Sequence, residues 1–364
     1  MRWIFGLCVV VFMVLGGFLL TPSPVDSRAW TPPVAPGLDG KLAPNERLRL
    51  AELLAKGQVT GPEDVDVDQA GRIYAGLSDG RIVRIWPDGK VERWVDTGGR
   101  PLGLDFDRRG NLIVADASRG LMSIDPEGNT RVLAREAEGL PFRFADDVDV
   151  APDGRIYFTD ATSEFSQQDF RLDLLETRPH GRLLRYDPAT GRTDVLIHSL
   201  YFANGVAVAP DGDFLLVNET WRYRVLKYHL KGPKAGTAEV LVENLPGFPD
   251  GVSVDREGRF WVALATTRNR MVDAVHPHPW IKEQIAKLPD SLKPAPRDYG
   301  LVLAMNGNGE VLTSLHDTDG RHLKEITSVE PHLDKLYFGT LHGDRIGRLS
   351  MSIIPDLSAG DDDD

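Results

Sequence analysis

A short phrase of sequence returns six times, and it constrains the fold more than any other feature. In its clearest copy an alternating apolar stretch (203–209) runs into Pro-Asp-Gly (210–212) and a second apolar stretch (214–217). Strand, Pro-Asp-Gly turn and strand form the pattern of a β-hairpin. The other copies begin at Glu63, Leu102, Asp146, Asp250 and, more loosely, Ile326. Six copies of one hairpin predict a repeat architecture.

The spacing of the copies indicates the kind of repeat. Most intervals match the ~40–50 residues of a four-stranded propeller blade. Further apolar runs between the hairpins, such as 80–85 and 181–186, supply the outer strands. We therefore predict an all-β, six-bladed β-propeller over residues 45–352, with a central channel lined by the innermost strands. Leucines at 48, 50, 53 and 54 predict a short amphipathic helix over 45–56.

Two intervals are too long for one blade and contain insertions, 165–180 and 269–296. The second has a helical pattern through Ile285 and Leu288. Both insertions follow equivalent hairpins, so they would open on the same face of a propeller and roof one pocket. The alternative is that they pack against neighbouring blades or a membrane. Long loops in compact domains are often functional, but this tendency does not decide between a roof over the pocket and packing against blades or a membrane.

The N-terminus has the pattern of a membrane anchor. Residues 3–20 are uncharged and mostly apolar, long enough to cross a bilayer, and Arg2 precedes them. We predict a single-pass signal-anchor helix over 1–20 that is not cleaved, with the propeller on the extracytoplasmic (periplasmic or lumenal) side. A cleaved signal peptide is the alternative. Residues 21–44 are predicted as a Pro-rich tether, and 353–364 as an acidic tail.

Bulk composition excludes some functions. The formal net charge of -12 argues against a nucleic-acid partner, because phosphate binding needs a basic face. Cys8 is the sole cysteine, so no disulfide can form within the chain. The composition leaves a small-molecule substrate as the expected partner, and it gives no oligomeric state.

The innermost strands of a propeller begin at the mouth of the channel, and four of these positions carry oxygen donors: Glu63, Asp146, Asn204 and Asp250. Converging carboxylates repel one another unless a cation neutralises them. Oxygen donors without His or Cys suit Ca²⁺ or Mg²⁺, and a wide site built from separate blades favours Ca²⁺. We predict a Ca²⁺ site formed by these four residues.

Other polar residues have simpler interpretations. Asn204 alone would be a hairpin Asn, but its register with Glu63 and Asp250 favours the metal site. Asp66, Asp105 and Asp149 recur within strands and are predicted to cap strands or bridge blades. The pair His316–Asp317 is either catalytic or a structural hydrogen bond. The rings of Trp221 and Trp280 line the pocket or fill gaps between blades.

Several phrases are similar to those of known propellers: Gly-Arg-Pro-Leu-Gly (99–103), Phe-Ala-Asn-Gly-Val (202–206), Pro-Gly-Phe-Pro-Asp (246–250) and Pro-Trp-Ile-Lys (279–282). Through these motifs the chain resembles the calcium-dependent six-bladed propellers of the senescence marker protein/gluconolactonase, paraoxonase and strictosidine synthase-like superfamily. The membrane-anchored strictosidine synthase-like branch resembles it most. The resemblance implies that Glu63, Asn204 and Asp250 are calcium ligands, with Asp146 where relatives usually carry Asn.

The resemblance also bears on other positions. Leu102 stands where paraoxonase carries its catalytic His, so a His base is excluded there. Gly251 stands where relatives often carry a further Asn. Asp64 and Asp147 match the positions of a second, structural calcium in paraoxonase. Glu325 is nearest to the catalytic glutamate of strictosidine synthase, and a surface role is its alternative.

Together these features predict a calcium-dependent hydrolase of esters or lactones, of the arylesterase or lactonase type. The ion would act as a Lewis acid on the carbonyl oxygen. A water on the ion, or Asp250 as base or nucleophile, would complete the attack, with Asn204 and Glu325 as further catalytic candidates. The alternatives are a strictosidine synthase-like C–C bond-forming enzyme with a Glu acid/base, and a non-catalytic binding propeller stabilised by Ca²⁺.

Overall fold

The structure, a computed structural model, describes residues 3, 5, 16–354 and 357. In this part of the chain six four-stranded antiparallel sheets follow one another as blades 1 to 6. Blades 1 to 3 comprise β2 (Val65–Val67), β3 (Ile73–Gly76), β4 (Arg81–Ile85) and β5 (Val91–Asp96); β6 (Pro101–Phe106), β7 (Leu112–Asp116), β8 (Gly120–Ile124) and β9 (Thr130–Ala134); and β12 (Ala145–Val150), β13 (Ile156–Asp160), β14 (Gly181–Asp187) and β15 (Arg192–Leu200).

The second half of the ring repeats this arrangement. Blades 4 to 6 comprise β16 (Ala203–Val208), β17 (Phe214–Glu219), β18 (Arg224–His229) and β19 (Ala238–Val242); β20 (Gly247–Val254), β21 (Phe260–Thr267), β22 (Gly300–Met305) and β23 (Val311–Asp317); and β24 (Ile326–His332), β25 (Lys335–Thr340), β26 (Ile346–Ser350) and β1 (Glu52–Leu54). A two-stranded hairpin, β10 (Glu136–Ala137) and β11 (Leu140–Pro141), precedes blade 3. The predicted six-bladed β-propeller is confirmed.

The ring closes through its N-terminus. Strand β1 pairs antiparallel with β26, with Glu52 opposite Arg348 and Leu54 opposite Ile346, so it forms the outer edge of blade 6. The helix predicted over 45–56 is therefore wrong. That segment contains a 3₁₀ turn (Arg47–Leu50) followed by β1, because pairing with a distant strand satisfies its backbone better than a short isolated helix would.

Side-chain carboxylates join neighbouring blades near the channel axis. Asp105 accepts the Val150 N–H at 2.6 Å, and Asp149 accepts the Val208 N–H at 2.6 Å. Each bond runs from the inner strand of one blade to the inner strand of the next. Of the carboxylates predicted to cap strands or bridge blades, Asp105 and Asp149 therefore bridge them.

The two insertions contain the helices α1 (Phe170–Glu176), α2 (Arg270–Val275) and α3 (Pro279–Ala286). Helix α1, from the first insertion, packs against α3, from the second. A small apolar cluster forms between them and includes Leu175, Ala286 and Ile285. Of the two alternatives left open by the sequence, the insertions thus form one structure that borders the cavity, and we call residues 165–180 and 269–296 the lid. Further 3₁₀ turns lie at Gly40–Leu42, Gln167–Asp169, Thr220–Arg222, Asp290–Leu292 and Met351–Ile353.

Part of the predicted tether lies on the lid. Residues 25–34, here called the strap, cross both insertions through hydrogen bonds to main-chain atoms. The Arg28 N–H donates to the Glu176 carbonyl at 2.8 Å, and the Trp30 N–H donates to the His276 carbonyl at 3.2 Å. Val25 is buried in the cluster between α1 and α3. The strap therefore holds the two halves of the lid together.

The predicted membrane helix over 1–20 and the predicted acidic tail over 353–364 lie largely outside the described residues. Among the described residues, no helix has the length and apolar character needed to span a bilayer.

Candidate active site

The predicted site residues border a single cavity beneath the lid. Asp146, Asn204 and Asp250 lie in the first halves of β12, β16 and β20, Glu63 lies two residues before β2, and Glu325 immediately precedes β24. The four predicted metal ligands are all nearly inaccessible, with exposed fractions of 7% (Glu63), 5% (Asp146), 6% (Asn204) and 9% (Asp250). The structure therefore brings side chains from four separate blades to one cavity wall.

A β-bulge occurs in each of the three strands β12, β16 and β20. The register between β12 and β13 shifts between Ala145 and Val148, and that between β16 and β17 shifts between Ala203 and Val206. The register between β20 and β21 shifts between Pro249 and Val252. A bulge interrupts the ladder and changes the direction of a side chain. At each bulge the side chain of the site residue (Asp146, Asn204 or Asp250) faces the cavity and not the space between blades.

Glycines next to the site residues permit the close approach of neighbouring inner strands. A Cβ added at Gly205 would lie 2.4 Å from the Val252 nitrogen, and one at Gly251 would lie 2.5 Å from the Thr327 carbonyl oxygen. Both contacts are with backbone atoms, which cannot move aside cheaply. Gly251 therefore has a packing role, and no side chain can stand there without displacing blade 6.

Three buried polar side chains hold the main chain of the site. Thr327 Oγ1 donates to the Glu63 carbonyl at 2.6 Å, and Thr220 Oγ1 donates to the Pro249 carbonyl at 2.7 Å. Asn218 Nδ2 donates to the Asp250 carbonyl at 2.6 Å. Sequence reasoning missed Asn218 and Thr220, although a polar pair ending the apolar run 214–217 was a signal that they have a buried role.

Burial and mutual repulsion disfavour the ionised carboxylates. The pKa of Glu63 lies well above its usual range because of burial and then the charge of Asp250. The pKa of Asp146 is raised in the same way, by burial and then by Glu63 and Asp250. Burial raises the pKa of Asp250 to about 7, opposed by its hydrogen bond with Asn204. The group would be stabilised by a positive charge.

Arg100 supplies one such charge from the side. Its side chain is 7% exposed, its Nη1 donates to the Gly61 carbonyl at 3.2 Å, and its charge lowers the pKa of Glu63. One guanidinium does not balance three carboxylates. The sequence shows Arg100 only as a member of the Gly-Arg-Pro-Leu-Gly motif (99–103). Its electrostatic interaction with Glu63 and Asp146 is seen only in the structure.

The donor chemistry of this group fits a hard divalent cation. All four side chains offer oxygen, and Asp146 Oδ2 is buried without a hydrogen-bond partner among the described residues. In the described part of the chain, however, no three or more Asp, Glu, His or Cys side chains lie in a ready-made metal-binding arrangement. The residues therefore match the ion in the type of their donor atoms and not in a preformed coordination geometry.

The rest of the cavity wall is mostly apolar. It includes the side chains Leu102, Phe144, Phe170, Phe202, Trp221 and Phe248. The space between the walls measures about 1370 Å³ with its open mouth. Phe202 and Trp221 pack with ring centroids 4.4 Å apart, which gives the wall a rigid aromatic surface. Trp280, the other candidate tryptophan, is 61% exposed on α3 and does not line the cavity.

Glu325 borders the cavity rather than the outer surface. Its carboxylate is 13% exposed and lies 2.8 Å from His342 Nδ1. Its backbone φ of 49° is in the left-handed region, which is rare for a residue with a side chain. The structure thus gives Glu325 a histidine partner that the sequence did not predict.

Two other predicted features have structural partners. Asp64 and Asp147 border a second cavity on the opposite side of the ring, where Asp64 Oδ2 accepts the Leu104 N–H and Asp147 Oδ2 accepts the Val206 N–H, both at 2.7 Å. The second calcium there stays a prediction. His316 is buried between Ser314 (2.9 Å) and Tyr299 (2.8 Å), so it is a structural residue of blade 5.

Comparison with known proteins agrees with this architecture. Family models for strictosidine synthase and for the N-terminal part of strictosidine synthase-like proteins match residues 146–233 and 40–85. Mouse adipocyte plasma membrane-associated protein is 36% identical, over 94% of this chain and 88% of its own length. Strictosidine synthase-like protein 13 of Arabidopsis thaliana is 36% identical, over 80% of this chain and 78% of its own.

A solved structure shares the fold at lower identity. A gluconolactonase from Xanthomonas campestris superposes with a TM-score of 0.61 at 19% identity, covering 91% of this chain and 99% of its own.

Proposed function

The chain belongs to the strictosidine synthase-like family, together with adipocyte plasma membrane-associated protein, and from this premise we propose that it is a calcium-dependent hydrolase of esters or lactones. One observation carries the proposal: four buried oxygen-bearing side chains from different blades border a cavity whose remaining wall is mostly apolar. Such a site combines a place for a polar reaction centre with a place for an apolar substrate.

Glu63, Asp146, Asn204 and Asp250 are the residues that would hold the Ca²⁺. When bound, the ion supplies a Lewis acid for the carbonyl oxygen of the substrate. Asn218 and Thr220 fix the main chain at Pro249 and Asp250, so the Asp250 carboxylate keeps its position during the reaction.

The protein's own groups do the remaining work. The aromatic wall formed by Phe202, Trp221 and Phe248 binds the apolar part of the ester and excludes bulk water. Asp250 takes the proton of the attacking water, and the C–O bond to the alcohol then breaks as the alcohol oxygen takes up that proton. Alternatively the Asp250 carboxylate attacks the carbonyl carbon, the C–O bond to the alcohol breaks with uptake of a proton from water, and a second water hydrolyses the acyl-aspartate. Leu102 offers no proton-transfer group, so no histidine base acts from that position.

A second candidate function is a C–C bond-forming reaction of the strictosidine synthase kind. The observation that favours it is the position of Glu325, which borders the cavity and has a hydrogen-bonding partner in His342. In that reaction Glu325 would act as the acid/base, and the oxygen-donor group would be dispensable. Turnover that depends on Glu325 but not on a divalent ion would identify it.

The proposed location is a membrane. Residues 1–20 would anchor the chain as a single pass, with the propeller on the extracytoplasmic side, in keeping with the name of the membrane-associated relative. Protease treatment of intact membrane vesicles tests this topology, because digestion of the propeller from the cytoplasmic side would contradict it.

The deciding experiment measures hydrolysis of phenyl acetate and of a lactone by the purified protein, with and without a chelator. We expect turnover to require Ca²⁺ and to fall about 100-fold or more in both Asn204→Ala and Asp250→Ala. Asp211→Asn, in the exposed turn of the same blade, is the matched control and should behave as the parent. Turnover unaffected by chelation would reject the metal mechanism. A chelator effect on Tm without any turnover would identify a binding propeller.

A further inference from the structure

The lid contributes one histidine to the cavity. His276 follows α2, is 1% exposed and borders the cavity beside Val272, Val275 and Ile285. Its ring packs edge-on against Trp30 of the strap, with centroids 5.1 Å apart. The proposed hydrolase mechanism does not use this imidazole, although it is a polar group in an otherwise apolar part of the wall.

Hydrogen bonds around Thr177 determine which ring nitrogen of His276 carries the proton. The Thr177 hydroxyl donates to the Leu174 carbonyl at 2.9 Å, and Thr177 Oγ1 accepts from Lys282 Nζ at 2.7 Å. A hydroxyl has one proton to donate. Because the Thr177 proton is assigned to the shorter 2.9 Å bond, we assign the ring as the donor in the 3.4 Å contact between His276 Nδ1 and Thr177 Oγ1. Nδ1 carries the proton, and Nε2 has a free lone pair.

The free lone pair has no partner in the protein. His276 Nε2 is buried and has no hydrogen-bond partner among the described residues. Burial and then the charge of Lys282 lower the pKa of His276 to about 3, so the ring is neutral at physiological pH. An unsatisfied buried acceptor is unfavourable, and a ligand that donates a hydrogen bond to it would remove that penalty.

We propose that His276 Nε2 accepts a hydrogen bond from the ligand, so that the preferred ligand is an apolar ester or lactone bearing a hydroxyl or amide N–H group. Naming an ester rests on the proposed function, whereas the hydrogen bond itself does not require hydrolysis. Sites built to accept a hydrogen bond discriminate strongly against analogues that lack the donor.

Matched non-hydrolysable probes test the inference. ω-Phenylalkanols with three to eight chain carbons are compared with their methyl ethers, which keep the oxygen and lose only the donor. Calorimetric titration of the full chain should show that at least one alcohol binds roughly tenfold or more tightly than its ether. Equal affinity throughout the series would overturn the proposal.

Variants assign the preference to His276. His276→Phe and His276→Leu should bind alcohol and ether equally, whereas His278→Phe, at an exposed position of the same lid, should keep the preference. Either folded His276 variant suffices, and retention of the preference in it would overturn the proposal. A ¹⁵N spectrum should show a protonated Nδ1 and a shift of Nε2 on addition of the alcohol only.

Failure of this inference can be separated from failure of the proposed function. Alcohol preference without ester hydrolysis would leave the His276 contact intact and remove the hydrolase. Ester hydrolysis without alcohol preference would support the hydrolase and overturn the His276 hydrogen bond.

Discussion

The hydroxyl group of Thr327 donates a 2.6 Å hydrogen bond to the carbonyl oxygen of Glu63. This bond joins the first inner strand of the last blade to the residue that precedes the first blade. It therefore spans the joint where the ring closes, next to a predicted metal ligand. The candidate site and the closure of the propeller depend on the same contact.

Replacing Thr327 by Val should affect both stability and activity. The substitution removes the donor and leaves the buried Glu63 carbonyl unpaired, which should lower the free energy of unfolding by about 1–2 kcal/mol. Misplacement of Glu63 should lower kcat/KM about tenfold. Denaturant unfolding and ester hydrolysis measure the two effects. Thr327→Ser keeps the hydroxyl and should resemble the parent, so an equal loss in both variants would contradict this role.

Gly205→Ala should disturb the site through the backbone. The added Cβ would lie 2.4 Å from the Val252 nitrogen and 2.5 Å from the Asp250 carbonyl oxygen, so blades 4 and 5 must separate. We expect a loss of about 1–3 kcal/mol in stability and a large loss of hydrolysis. Gly17→Ala, where an added Cβ meets nothing within 4 Å, is the control. Parent-like activity of Gly205→Ala would show that the inner strands tolerate displacement.

Two leucines of one 3₁₀ turn test whether the segment before β1 belongs to the propeller core. Leu48 is fully buried in the cluster between blades 5 and 6, whereas Leu50 is 66% exposed. Leu48→Ala should cost about 2–5 kcal/mol, and Leu50→Ala less than about 0.5 kcal/mol. Thermal or denaturant unfolding measures both. Equal, small effects would mean that the ring does not need this segment.

Asp173 in α1 should make the stability depend on pH. Burial raises its pKa to about 7, and its Oδ1 accepts the Trp221 Nε1–H at 2.9 Å. In the unfolded chain an Asp releases its proton near pH 3.9, so between about pH 4 and 7 the folded state holds more protons and stability falls as pH rises.

Asp173→Asn removes this titration while keeping an acceptor for Trp221. The stability of the variant relative to the parent should therefore rise between about pH 4 and 7, by up to about 4 kcal/mol, and stay level above that. Unfolding curves measured across this range give the difference. A difference that does not change with pH would mean that Asp173 is ionised in the folded protein at low pH.

Much of the site could be predicted because the repeat fixes positions. Asp146, Asn204 and Asp250 each stand at the start of a hairpin copy, so their equivalence in the sequence is enough to place them around one axis. Glu325 was harder, because the last copy is weak and the alignment there is loose. Its partner His342 follows β25, the second strand of the same hairpin, and the pairing of β24 with β25 brings the two side chains together.

The errors and omissions have a common physical origin. The leucines of 45–56 fit a helical spacing, but pairing of β1 with β26 across most of the chain decided the structure of that segment. The strap is held by hydrogen bonds of its main chain and by the ring of Trp30. Such contacts need no periodic pattern of apolar residues, so the sequence did not indicate that the strap is ordered. Asn218 and Thr327 act on carbonyls of other blades. Patterns of neighbouring residues in the sequence do not predict contacts between different blades.

The pairing of Glu52 with Arg348 has a consequence for synthesis of the protein. These partners are 296 residues apart, so the sixth sheet cannot be completed until nearly the whole chain has been made. Contacts of such long range slow folding, and β1 stays without its partner strand during that interval. A chain truncated before β26 would keep β24 and β25, the two strands of blade 6 nearest the channel, but β1 would have no partner strand, so the outer half of blade 6 would be missing.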